Sequence, residues 1–186
     1  MKLKLMLAAA ATALIAETAS AQVFVIGNGL GGECYTKTKN KSSNFRETEQ
    51  ICTRALREQT MTRSNRAATL VNRGVLRMRA GRYDSALEDY AEATRLQPEL
   101  GAAYLNQGAA LIYQRNFQSA IDPLSRAIEL NSLDLFAAYY NRAIARENSG
   151  DVEGAYFDFK KSLELKPDWD LAGRQLARFT VEDAGS

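Results

Sequence analysis

Between Ala67 and Trp169 the chain carries the same pattern three times over, with a period of about 34 residues. The copies read AATLVNRGVLRMRAGRYDSALEDYAEATRLQPEL (67–100), GAAYLNQGAALIYQRNFQSAIDPLSRAIELNSLD (101–134) and FAAYYNRAIARENSGDVEGAYFDFKKSLELKPDW (136–169). A period of this length marks helical hairpins that stack, because one hairpin cannot bury its apolar face alone. Small residues recur at one point of each first helix (Gly74, Gly108, Ala143) and of each second helix (Ala86, Ala120, Ala155). Small side chains on both helices let two backbones approach closely where they cross. Large apolar residues bracket the crossing, at Leu70, Tyr104 and Tyr139 and then at Tyr90, Leu124 and Phe159. Pro98 and Pro167 stop two of the second helices, since proline lacks the amide donor and clashes with a continuing helix. The turns read AGRY, QRNF and SGDV, with Gly81 and Gly150 supplying freedom in two of them.

This set of positions resembles the tetratricopeptide repeat over residues 67 to 168, with most signature positions filled in all three copies. The departures are Arg77, Leu111 and Arg146 on the first helices, Ser132 in place of the proline of copy two, and one extra residue around Leu133 to Leu135. The resemblance implies an all-α fold, a right-handed superhelical stack of helix-turn-helix hairpins. It also implies that the first helices line a concave, peptide-binding face.

The remaining segments are read around that stack. Lys2 and Lys4, the apolar run Leu5 to Ile15, and Ala19-Ser20-Ala21 have the order of a secretory signal peptide over residues 1–21, cleaved after Ala21. The apolar run is too short to span about 30 Å of hydrocarbon. Export to a periplasm or cell exterior is the expectation. Residues 22–30 read as a flexible lead-in. Gly27, Gly29 and Gly32 satisfy a dinucleotide-type glycine pattern, but no second parallel strand follows to build that site. No cofactor is expected. Residues 31–66 read as a degenerate hairpin, because ICTRAL resembles LSRAI of copy two. Cys34 and Cys52 would sit on its two helices and form a disulfide in an oxidising compartment. Residues 170–180 read as a capping helix, with Leu171, Leu176 and Phe179 inward and Arg174 and Arg178 facing water, and 181–186 as a loose tail.

Composition argues against catalysis. The chain has no histidine, the commonest general base. No serine has a base nearby in the pattern, and carboxylates such as Glu88 and Asp89 read as exposed helix faces. Neither a catalytic residue nor a metal site is predicted. The charge is segregated: residues 22–82 hold 12 Lys/Arg against 4 Asp/Glu, and 83–186 hold 10 against 17. Either solvated faces or head-to-tail association follows from that, and an envelope-associated self-assembly module is the alternative to an adaptor. Basic residues without interleaved aromatics point away from nucleic acid.

The informative column is asparagine. Asn72, Asn106 and Asn141 stand two residues before the small crossing residue of each copy. A carboxamide both donates and accepts, so a column of them can bond the backbone of an extended ligand. The same residues also suit bonds between adjacent helices of the fold. The partner-binding set is Val71, Asn72, Val75, Met78 and Arg79 in copy one, Leu105, Asn106, Ala109, Ile112 and Tyr113 in copy two, and Tyr140, Asn141 and Ile144 in copy three. Some members of the family grip a terminal carboxylate with lysine and asparagine, where this chain has Val71 and Val75, so an apolar peptide or amphipathic helix is the expected partner. The chain's own amino-terminal segment, or another copy, is an alternative occupant.

Overall fold

The computed structural model describes residues 4–7, 21–27, 29–40 and 44–182, with side chains placed from 21 to 180. Within them nine helices follow one another: α1 Leu30–Lys39, α2 Phe45–Glu58, α3 Arg63–Arg79, α4 Tyr83–Leu96, α5 Gly101–Tyr113, α6 Phe117–Glu129, α7 Leu135–Asn148, α8 Val152–Leu165 and α9 Asp170–Leu176. Helices α3 to α8 form three hairpins, and each packs on the next to give an all-α stack. The crossings behave as the small residues require. A Cβ on Gly74 would lie 2.4 Å from Tyr90 Cε1, and one on Gly108 would lie 2.4 Å from Leu124 Cγ. Gly108→Ala is therefore expected to destabilise by about 1–3 kcal/mol through overpacking, read as a lower urea midpoint.

Each hairpin turn closes with one hydrogen-bond pattern. The amides of Arg82, Asn116 and Asp151 donate back to the carbonyls of Arg77, Leu111 and Arg146, each at 2.9 Å. The residue before each donor takes the left-handed conformation. Gly81 and Gly150 adopt it freely, whereas copy two places Arg115 there at φ 60°. A side chain in that region costs about 1 kcal/mol, so the middle turn is the strained one.

Ahead of these three, α1 and α2 form a further hairpin closed by the Cys34–Cys52 disulfide, with Cα atoms 4.9 Å apart and both side chains buried. Asn44 caps α2 by accepting from the Glu47 amide at 3.2 Å. Reduction of the disulfide is expected to remove about 3 kcal/mol, the loop-closure value for a separation of this size, as a drop in urea midpoint when dithiothreitol is added.

Both ends of the chain differ from expectation. Helix α9 stops at Leu176, and Phe179–Glu182 forms a strand, β2, instead of continuing the helix. It pairs antiparallel with a strand at Lys4–Leu7, β1, with Leu7 opposite Phe179 and Lys4 opposite Glu182. Pairing satisfies backbone groups that a helix end would leave open. It also places Val181 and Glu182, expected in a loose tail, in a ladder. Arg178 does not face water: its guanidinium donates to Glu147 of α7 at 2.8 and 2.6 Å, and that carboxylate is buried. Of the leader expected over 1–21, residues 1–3 and 8–20 lie outside the described residues.

Candidate peptide groove

Two members of the asparagine column point their amides at a segment of the chain's own backbone. Residues 21–26 run extended across the first helices. Asn106 accepts from the Ala21 amide at 3.1 Å and donates to the Ala21 carbonyl at 2.7 Å. Asn72 treats Val23 the same way, at 3.0 and 2.8 Å. Asn65 does so for Ile26, at 3.1 and 2.7 Å. Asn72 and Asn106 are fully buried. Each carboxamide thus meets both polar groups of one peptide residue, as a neighbouring strand would. One hairpin step corresponds to two residues of occupant, and the occupant runs opposite to the order of the hairpins. Residues 22–26 are consequently held and not a free lead-in.

Side chains of the occupant alternate. Ala21 and Val25 are buried, while Phe24 and Ile26 are exposed. The floor beneath them is apolar: Val71, Val75 and Met78 of α3, and Leu105, Ala109 and Ile112 of α5, are all buried. Tyr140 and Ile144 of α7 are buried in the adjoining cluster, which also contains Ala21. Asn141, the third member of the column, is fully buried, yet neither of its amide atoms has a hydrogen-bond partner among the described residues. The predicted site therefore divides. Asn72 and Asn106 hold the strand, Asn141 stands unpartnered, and the apolar members form the floor. Two members have other duties. Arg79 donates to the Thr38 carbonyl of α1 at 3.0 Å, and the Tyr113 ring stacks on Tyr83 at 5.4 Å.

Behind the groove lies a set of ion pairs that the sequence reading missed. Asp89, expected on an exposed face, is buried. It accepts from Arg73 at 3.0 and 2.6 Å and pairs with Arg77 at 3.1 Å. Burial pushes its carboxyl up, and the two guanidiniums offset only part of the rise. Arg73 also reaches Thr53 of α2, stitching one hairpin to the one before. Copy three repeats the arrangement: Asp158 accepts from Arg142 at 2.8 Å through both oxygens and from Arg146 at 3.0 Å, and Arg142 reaches Ser125 of α6. Glu49 of α2 adds to the first network by pairing with Arg77 at 3.0 Å and with Arg82. Burial alone would raise the Glu49 carboxyl, but bonds to Arg82 and Arg77 bring it below its ordinary range. The signal was present as Arg73, Arg77 and Asp89 recurring at Arg142, Arg146 and Asp158. Copy two breaks it with Gln107, Leu111 and Pro123.

Comparison with known proteins agrees with this fold. The sequence matches the family described as tetratricopeptide repeat over residues 71–134 and again over 105–168. The chain belongs to the tetratricopeptide repeat family. Human tetratricopeptide repeat protein 6 is 35% identical over 81 residues, which cover 44% of this chain and 15% of that protein; human tetratricopeptide repeat protein 36 is 26% identical over 144 residues, covering 76% and 69%. The chain thus spans a small part of the first of these relatives and about two thirds of the second. Among solved structures, MamA superposes with a TM-score of 0.67 at 24% identity, over 81% of this chain and 82% of MamA, a likeness of fold. The first tetratricopeptide domain of Spaghetti (RPAP3), solved with an HSP90 peptide, superposes with a TM-score of 0.59 at 27% identity, over 61% of this chain and 90% of that domain. Among the described residues of this tetratricopeptide protein, no helix is long and apolar enough to cross a membrane.

Proposed function

We propose that this tetratricopeptide chain is a non-catalytic adaptor whose concave face takes an extended segment of a partner protein by its backbone. The observation that carries the reading is the reciprocal bonding of Asn72 to Val23 and of Asn106 to Ala21. The amides bond without consulting side chains, and the apolar floor supplies burial. An extended peptide suits the column better than a helix, whose amides are already used in its own bonds. Peptide binding by the RPAP3 domain supports the class of ligand. Val71 and Val75 stand where a carboxylate clamp would need polar groups, and both are buried. Export with cleavage after Ala21 belongs to the same proposal, and the Cys34–Cys52 disulfide supports an oxidising compartment.

The resident strand is a tethered competitor at high effective concentration, so the test must loosen it. Val23→Pro deletes the amide that Asn72 accepts. A fluorescent peptide with the sequence of residues 19–26, ASAQVFVI, is expected to bind the Val23→Pro chain saturably and the unaltered chain at least about tenfold more weakly. Adding Asn72→Ala and Asn106→Ala should abolish binding while circular dichroism stays helical. Unchanged binding by that triple variant would sink the backbone-reading site. Leu105 is unsuitable for such a test, since it is fully buried and a charge there would probe folding.

A further inference from the structure

The residue at which the leader is expected to end is also the residue that Asn106 holds. Asn106 Nδ2 donates at 2.7 Å to the Ala21 carbonyl, which is the carbonyl of the Ala21–Gln22 bond itself. Ala21 is only 4% exposed. A peptidase must bind that bond extended and accessible, so seating Ala21 in the groove and cleaving after it exclude one another. Hydrolysis adds water across the bond and leaves a carboxylate on Ala21 and an ammonium on Gln22. The downstream strand stays in place, because Val23 remains bonded to Asn72 and Ile26 to Asn65. The new ammonium therefore remains beside Asn106. Everything upstream of it is free to leave, including the strand Lys4–Leu7 that ties the leader to Phe179–Glu182.

We propose that cleavage after Ala21 converts the half-groove at Asn106 and Asn141 into a site for the carboxyl terminus of an extended peptide ending in a small residue. The inference rests on the backbone-reading function above. Four observations define the ligand. Asn106 already bonds both the amide and the carbonyl of whatever residue takes the Ala21 position. That residue's side chain is buried in one apolar cluster with Leu105 and Tyr140, so a small apolar group suits the position. Chain direction is set by the resident strand, so the ligand's last residue faces the Gln22 ammonium and its carboxylate pairs there. Asn141, fully buried with both amide atoms unpartnered among the described residues, is the next rung for the ligand backbone.

The experiment translates the full chain in the presence of vesicles carrying signal peptidase and isolates the chain whose intact mass shows loss of residues 1–21. Two fluorescent probes share the sequence of residues 14–21, LIAETASA, one with a free carboxyl terminus and one amidated. The processed chain is expected to bind the free acid at least about tenfold more tightly than the amide, and Asn106→Asp, which removes the donor and adds a negative charge, should erase the preference. The unprocessed chain, with Ala21 seated, is expected to bind neither probe and, once folded, to resist cleavage. Equal binding of acid and amide overturns the terminus site, as does a nascent chain left uncut at Ala21–Gln22. If the Val23→Pro chain takes ASAQVFVI while the processed chain shows no preference for the free acid, backbone reading stands and this inference falls. If neither chain binds its probe, both fall.

Discussion

Asp89→Ala is expected to lower the stability of the folded chain by about 3–5 kcal/mol, the loss seen when one partner of a buried charge pair is removed. The carboxylate meets two guanidiniums, and their side chains are themselves mostly covered. Without Asp89, Arg77 keeps Glu49 and the Ser85 carbonyl, but among the described residues Arg73 keeps only Thr53, beside a second positive charge. Domains of this size are stable by about 5–15 kcal/mol, so the deficit is visible in urea melts as a large fall in midpoint at unchanged slope. Copy two shows how the same position is managed without ions. Its counterparts are Gln107, Leu111 and Pro123. Arg73→Gln with Arg77→Leu, added to Asp89→Ala, removes the stranded charges and is expected to recover most of the loss. A triple variant no more stable than the single one would show that the pair matters for more than charge balance.

Phe159→Ala is expected to produce a loss of the same order, about 3–5 kcal/mol, by a different route. The ring is fully buried. It lies edge-on to Tyr140 at 5.5 Å and near Phe179 at 6.0 Å. Truncation opens a cavity where the third hairpin, the floor of the groove and the carboxyl-terminal strand meet. At about 2–4 °C per kcal/mol for a domain of this length, the thermal midpoint should fall by about 10 °C in far-UV circular dichroism. Phe159→Leu imitates Leu124 of copy two and should lose less than half as much.

The stack was legible because its information is periodic. Gly74, Gly108, Tyr90 and Leu124 repeat at fixed spacing, and each carries a local steric meaning that needs no partner elsewhere. The asparagine column was legible for the same reason. Asp89 was misread because a lone aspartate on a helix reads as solvated; its meaning lies in Arg73, on the other helix of the hairpin. Strand β2 escaped because FTVE pairs with residues near the opposite end of the chain, and no spacing rule reaches that far. The lead-in was misjudged by its glycines. Gly27 and Gly29 do take positive φ, but the residues before them alternate Ala21, Val23 and Val25 toward an apolar floor. The left-handed Arg115 went unseen because arginine rarely signals that conformation.

The buried arginine–aspartate pairs lie within the first and third hairpins and not within the second, which meets an arginine of the third through Ser125. In the second hairpin Pro123 sits inside helix α6, where its missing amide removes one backbone bond, and Arg115 strains the turn before it. In a linear array, each unit's resistance to opening is set by itself and its neighbours. The weakest cooperative unit is therefore central, flanked by two firmly closed ones, where fraying would ordinarily begin at the ends. Asn106 stands on that central unit. Whatever lies along Asn106 and Asn72 spans the join between the first hairpin and the second and splints the part of the molecule most prone to breathe. Occupancy of the groove and slow amide exchange in α5 and α6 are then two readings of one equilibrium.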